Sequence, residues 1–133
     1  MTTSRNFMLN ITQSAITVML VFGSTSVLSG NEAYIDFQSD SLITGKNIWL
    51  DSCEGCHAYG IADSPNPLVP RDWQHRISKD ITILYEHAIN GFFGPDDSMM
   101  PARGGNNSLS DQEVKLAVDY MVALAKFYIN QEE

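Results

Sequence analysis

Apolar residues recur at three- and four-residue steps in three stretches of this chain, and glycine and proline break the segments between them. The first stretch is Leu42, Gly45, Ile48 and Trp49, one buried stripe of a helix. It begins near Asp40 or Ser41, either of which can serve as its cap. Glycine costs helix stability, so Gly45 inside the stripe points to close approach by another element. The second stretch is Ile81, Leu84, Tyr85 and Ala88, with Asp80 as N-cap and Asn90-Gly91 as its stop. The third is the strongest: Val114, Ala117, Val118, Met121, Val122 and Ala125, with Tyr120 beside them. Ser110-Asp111-Gln112-Glu113 opens it as a capping box, and the pattern carries the helix to about Ile129.

The segments between the stripes lack that periodicity. Asn31 to Ser39 is an irregular lead-in. Gly60, Pro65, Pro67 and Pro70 exclude a long helix between Ala58 and Asp72, and Asp72 to Ser78 reads as a short helical turn. Gly91 to Gly105 reads as one long loop holding Phe92, Phe93, Met99 and Met100. Loops of that length in a small domain are functional or disordered.

The chain has 133 residues, one domain's worth. Residues 1–29 stand apart from it. Arg5, the apolar run Ala15 to Phe22 and the small polar run Gly23 to Ser29 have the order of a secretory signal peptide. Cleavage is placed after Ser29, with Ser26 as second choice and 26–33 as the window, leaving residues 30–133 as the domain. The alternative is an uncleaved anchor, which needs ~20 mostly apolar residues; Asn10, Thr12, Gln13 and Ser14 interrupt the run. Eight Lys and Arg against sixteen Asp and Glu give a net charge of −8, and loss of Arg5 with the leader makes the mature part more negative. Nucleic acid and anionic membrane surfaces are therefore poor partners, and a partner with a basic patch is favoured. The same acidity also serves to keep an exported protein soluble.

Chemistry enters at Cys53-Glu54-Gly55-Cys56-His57, which holds both cysteines of the chain. C-x-x-C-H is the attachment pattern of a c-type haem. Cysteines three apart share one side of a helical turn, so both sulfurs reach the vinyl groups of one porphyrin, and His57 follows as an axial ligand. A thioredoxin-like dithiol needs a βαβ surround, and the flanks show no strand alternation. A structural zinc needs four Cys or His ligands, and only His75 and His87 remain. Those two are assigned to the surface or the core. A ligating histidine needs an acceptor for its second nitrogen; the Pro65 carbonyl is the first choice and that of Pro67 the second. In such a chain, Met100-Pro101 offers a soft, neutral thioether as the second axial ligand, which favours ferrous iron. Met99 is the rival sulfur.

Together these residues resemble the class I c-type cytochromes, most closely the short bacterial cytochrome c5 branch. The resemblance runs from about Ser41 to Lys126. It rests on Gly45-Lys46-x-x-Trp49, Cys53-x-x-Cys56-His57, Ala88-x-Asn90-Gly91, Met100-Pro101-x-Arg103-Gly104-Gly105, Leu109-Ser110-Asp111 and Val118-Asp119-Tyr120-Met121. It implies an all-α fold of three to five helices around one haem c, joined through Cys53 and Cys56, with His57 and Met100 on the iron. It also implies that the first and last helices cross at Gly45, with Trp49 and Tyr120 packed near the crossing, and that Trp73 and Arg76 lie near a haem propionate. The function implied is a one-electron carrier, not an enzyme, exported to the periplasm or anchored facing it, with no stable membrane insertion once the leader is cleaved. Its partners are redox proteins that dock transiently, with Ile61, Ala62, Phe92 and Phe93 as an apolar rim or as packing against the porphyrin. The alternatives are a dedicated haem subunit of an oxidoreductase, or a haem enzyme or ligand sensor if Met100 does not bind iron.

Overall fold

The computed structural model describes residues 33–95 and 97–132; the leader assigned to residues 1–29 lies outside them. The described residues form five α-helices: α1 (Asp40–Ser52), α2 (Glu54–His57), α3 (Pro70–Trp73), α4 (Ile81–Asn90) and α5 (Asp111–Ile129). A short antiparallel pair, β1 (Phe92–Phe93) and β2 (Met99–Met100), lies between α4 and α5. None of the described helices is long and apolar enough to cross a membrane.

The frame is the pair α1 and α5, which make the most extensive contact in the domain. Gly45 is where their backbones meet: a Cβ built on it would lie 2.1 Å from the Leu116 carbonyl oxygen. Trp49 and Tyr120 flank the contact with ring centroids 5.7 Å apart, and both are fully buried. The described part of the irregular lead-in, residues 33–39, is a strap across this crossing. Tyr34 packs edge-on against Trp49 at 4.7 Å and Phe37 edge-on against Tyr120 at 6.0 Å. The Tyr128 hydroxyl donates to the Ala33 carbonyl at 2.7 Å, and the Lys46 ammonium donates to the Tyr34 carbonyl, also at 2.7 Å. A segment without periodicity thus completes the core by burying aromatic area.

Capping fixes where the helices start. Ser110 accepts from the Glu113 backbone N–H while the Glu113 carboxylate accepts from the Ser110 N–H at 2.8 Å, the full capping box. Removing it with Ser110→Ala is expected to cost about 1 kcal/mol, seen as a midpoint lowered by roughly 4–8 °C in thermal unfolding. Asp80 caps α4 by accepting from the Thr82 N–H at 2.9 Å, and Gly91 ends it at φ 84. Three expectations need correction. The N-cap of α1 is Ser39, not Asp40 or Ser41; Asp40 instead sits in the first turn, where its charge suits the helix dipole. The helical turn placed at Asp72–Ser78 begins earlier, at Pro70, because proline is pre-set for the first helical position. The loop assigned to Gly91–Gly105 contains the β1–β2 pair and a 3₁₀ turn over Ala102–Gly105; two-residue strands leave no alternation to read.

Candidate haem crevice

α1 hands the chain directly to the C-x-x-C-H turn. The His57 backbone N–H bonds to the Cys53 carbonyl at 3.1 Å and that of Cys56 to the same oxygen at 3.2 Å, so the two cysteines and the histidine share one tight turn. His57 is buried, at 7% exposure. Its Nδ1 lies 2.9 Å from the Pro65 carbonyl oxygen. A carbonyl only accepts, so Nδ1 carries the proton and Nε2 keeps a free lone pair. Burial pushes the His57 pKa down, the Pro65 bond opposes this, and the charge of Arg76 adds to the fall. The ring is therefore a neutral donor with one nitrogen already committed.

Pro65, not Pro67, supplies the acceptor; Pro67 is fully buried. What holds the carbonyl in place is Asn66, a residue the sequence reading passed over. Its Nδ2 donates to the Ala58 carbonyl at 2.8 Å, its Oδ1 accepts from the Leu68 N–H at 2.9 Å, and its own N–H donates to Asp72 at 3.1 Å. Asn66→Ala leaves two partly buried backbone groups unpaired, an expected loss of about 1–2 kcal/mol, read from denaturant midpoints. The only advance signal was an asparagine between two prolines, a turn-forming context.

His57 and Met100 border one cavity of about 570 Å³, within the ~300–1,000 Å³ of cofactor sites. Ala88, Val118 and Met121 give it an apolar wall, and a pocket of about 20 Å³ bordered by Cys53, His57 and Met100 adjoins it. Cys53 is half-buried; Cys56 is exposed and borders neither space. Burial pushes the Cys53 thiol up to about 11, with Cys56 and Asp51 adding to the shift. A redox-active dithiol has the opposite displacement, which counts against the thioredoxin-like reading.

Met100 pairs with Phe92, and Met99 with Phe93. Both methionines border the cavity, but neighbouring strand residues point to opposite faces: Met100 is half-buried and packs on the core, while Met99 is 53% exposed. Phe92 borders the cavity and stacks on His87 at 4.1 Å, whereas Phe93 is 80% exposed. His75 and His87, assigned to surface or core, both border the cavity. So do Arg76 and Trp73. Among the described residues, the buried indole N–H groups of Trp49, in the core, and of Trp73, at the cavity, are without a partner, an uncommon state for a native donor. A cavity of this size with an apolar wall, an imidazole and a thioether on it, cationic Arg76 and Lys79 and the Trp73 donor at its border and a cysteine beside it, fits a haem with its propionates.

Comparison with known proteins agrees. Residues 40–121 match the family model described as "Cytochrome C oxidase, cbb3-type, subunit III". The chain belongs to this cytochrome c family; it is a class I c-type cytochrome, whose cofactor is covalently bound haem c. It is similar to cytochrome c-555 of Prosthecochloris aestuarii, 34% identical over 90 residues that cover 65% of this chain and 91% of that protein. It is likewise similar to cytochrome c-555 of Chlorobaculum tepidum (35% over 104 residues, 78% and 91%) and of Chlorobaculum thiosulfatiphilum (37% over 82 residues, 62% and 94%).

Proposed function

We propose that this protein is a periplasmic one-electron carrier in which Cys53 and Cys56 form the thioether links and His57 Nε2 and Met100 Sδ are the axial ligands. The observation that carries the reading is the convergence of His57, oriented by Pro65, and Met100 on one apolar cavity. Bound haem c supplies a one-electron iron couple. Burial favours the neutral imidazole of His57, and its bond to Pro65 fixes the ring's direction and raises its basicity. Met100 supplies a neutral, weakly donating sulfur, which raises the potential. With His57 and Met100 both holding a bound haem, no coordination site would be left for a substrate, which is the condition for a carrier. The apolar wall from α4 and α5 excludes water around the iron. Phe93 and the acidic surface suit brief docking to a redox protein with a basic patch, in the small-interface regime of transient electron-transfer complexes.

Absorption spectra of the holoprotein, oxidised and reduced, test this. Sharp low-spin bands with a weak far-red sulfur-to-iron band in the oxidised form are expected. A high-spin spectrum, or avid carbon monoxide binding by the unmodified protein, would overturn the carrier reading in favour of a haem enzyme or sensor. The description of the matching family model favours a second reading, a haem subunit dedicated to one oxidoreductase. Against it, the cytochrome c-555 relatives are matched over 91–94% of their length, so they are proteins of about this domain's size. Stoichiometric co-purification with a catalytic partner would favour the subunit.

A further inference from the structure

We propose that Arg103 is the positioning residue for Met100: it clasps the loop that carries the methionine to the entrance of α5 and so sets how easily the sulfur leaves the iron. The inference rests on the reading of Met100 as an axial ligand.

Two residues, Pro101 and Ala102, separate Met100 from Arg103. After β2 and Pro101 the chain enters the turn Ala102–Gly105, where Arg103 adopts a left-handed backbone, φ 56 and ψ 26. A non-glycine residue persists in that region only where its surroundings over-determine it. Here they do so through the guanidinium. Nη1 donates to the Leu109 carbonyl at 2.9 Å and Nη2 to the Asp111 carboxylate at 2.6 Å, with the arginine side chain only 24% exposed. Both acceptors flank Ser110, the N-cap of α5. The fork is planar, permanently charged and matched to two acceptors at fixed separation, a geometry lysine does not reproduce. Because α5 is the element packed against α1, Arg103 ties the methionine loop to the most rigid part of the frame. The same residue borders the small pocket shared by Cys53, His57 and Met100.

Among the described residues, the methionine segment is otherwise held by packing of its following turn on α4 and of Met100 on the core, contacts without the directionality of the arginine fork. β2 is two residues long and pairs only with β1, and the connection between them passes through exposed Pro95 and Asp97. A two-stranded ladder of this size has little stability of its own. The second tie, from Asn106 Nδ2 to the Ser52 hydroxyl at 3.0 Å, lies six residues beyond Met100. A thioether is a weak donor, so the fraction of time the sulfur stays on iron depends on how far the loop is prevented from opening locally.

The test uses ferric holoprotein with imidazole as the competing ligand, together with the far-red band and the unfolding midpoint of each variant. Arg103→Gly keeps the left-handed turn comfortable but removes the fork; Arg103→Lys keeps the charge without the fork; Asp111→Asn weakens one arm. Imidazole affinity, measured well below the unfolding midpoint, is expected to rise about tenfold or more in Arg103→Gly, in proportion to the population of the opened loop. Arg103→Lys is expected between Arg103→Gly and wild type, with a smaller rise in Asp111→Asn and a fainter far-red band wherever affinity rises. If Arg103→Gly does not fold, the other two variants carry the test. Wild-type imidazole affinity in all folded variants, whatever their midpoints, would overturn the proposal and leave Arg103 a brace of the fold. A wild-type protein without the far-red band would instead sink the Met100 reading, and this inference with it.

Discussion

Replacing Met100 with alanine is expected to abolish the far-red band, let ferrous protein bind carbon monoxide and lower the reduction potential. The fall should be on the order of a hundred millivolts, well inside the ~0.8 V that axial ligands control. Met100 borders the cavity with His57; as the proposed ligand its neutral sulfur would favour ferrous iron, and a methyl group in its place would leave the position to water or an added ligand. Met99 is not expected to substitute. Met99 also borders the cavity, but from the exposed face of β2; to pack inward as Met100 does it must exchange faces with Met100, which demands a one-residue slip of β2 against β1. The turn between the strands opposes that slip: the Gly94 N–H bonds to the Ser98 carbonyl at 2.8 Å and the Ser98 hydroxyl to the Pro95 carbonyl at 2.9 Å. Met99→Ala is therefore expected to keep the wild-type spectrum. If Met100→Ala retains the far-red band and refuses carbon monoxide while Met99→Ala loses the band, the ligand is Met99 and the register argument fails.

The difference between the two methionines shows what the sequence made legible and what it did not. Cys53, Cys56 and His57 stand in a pattern whose spacing is dictated by one helical turn and one porphyrin, so the chemistry was readable from five residues. The three long helices were readable because each buries a continuous apolar stripe, and in α5 the capping box marked the first residue as well. Gly45 was readable as a contact because glycine inside a stripe has a cost that some packing gain must offset. What escaped notice was built by backbone and tertiary packing instead of periodicity. The strap at Tyr34 and Phe37 has no repeat; its order comes from aromatic contacts with α1 and α5. The Asn66 clamp acts through bonds to the Ala58 carbonyl and the Leu68 N–H, neither of which leaves a trace in residue type. The β1–β2 pair is too short for alternation, and the stacking of His87 on Phe92 exists only because that pair turns the chain back beside α4. Arg103 was visible as part of a motif, but its two acceptors lie six and eight residues further on.

Gly45→Ala is expected to be the most damaging single-methyl change in the frame. Two effects oppose each other. Alanine is the better helix former by ~1 kcal/mol, which alone would stabilise α1. Against it, the new Cβ would sit 2.1 Å from the Leu116 carbonyl oxygen and 3.2 Å from the Tyr120 Cβ. The first obstacle is backbone of α5, so no side-chain rotation relieves it; the helices must separate by about an ångström. Close-packed interiors do not absorb such a shift locally, and here it also loosens Trp49 against Tyr120, both fully buried. Overpacking typically costs ~1–3 kcal/mol and occasionally more; with backbone as the obstacle this site lies at the upper end, about 3–4 kcal/mol, so the net loss after the helix gain is about 2–3 kcal/mol. Thermal unfolding should show a midpoint lower by roughly 8–24 °C for a domain of this size. The cold spectrum of the holoprotein should be unchanged, since His57 and Met100 are presented by α2 and β2 and not by the crossing. A variant as stable as wild type would mean that α1 and α5 do not meet at Gly45. A variant that folds with the wild-type midpoint but an altered far-red band would mean that the crossing governs the crevice, and that the frame and the site are not separable.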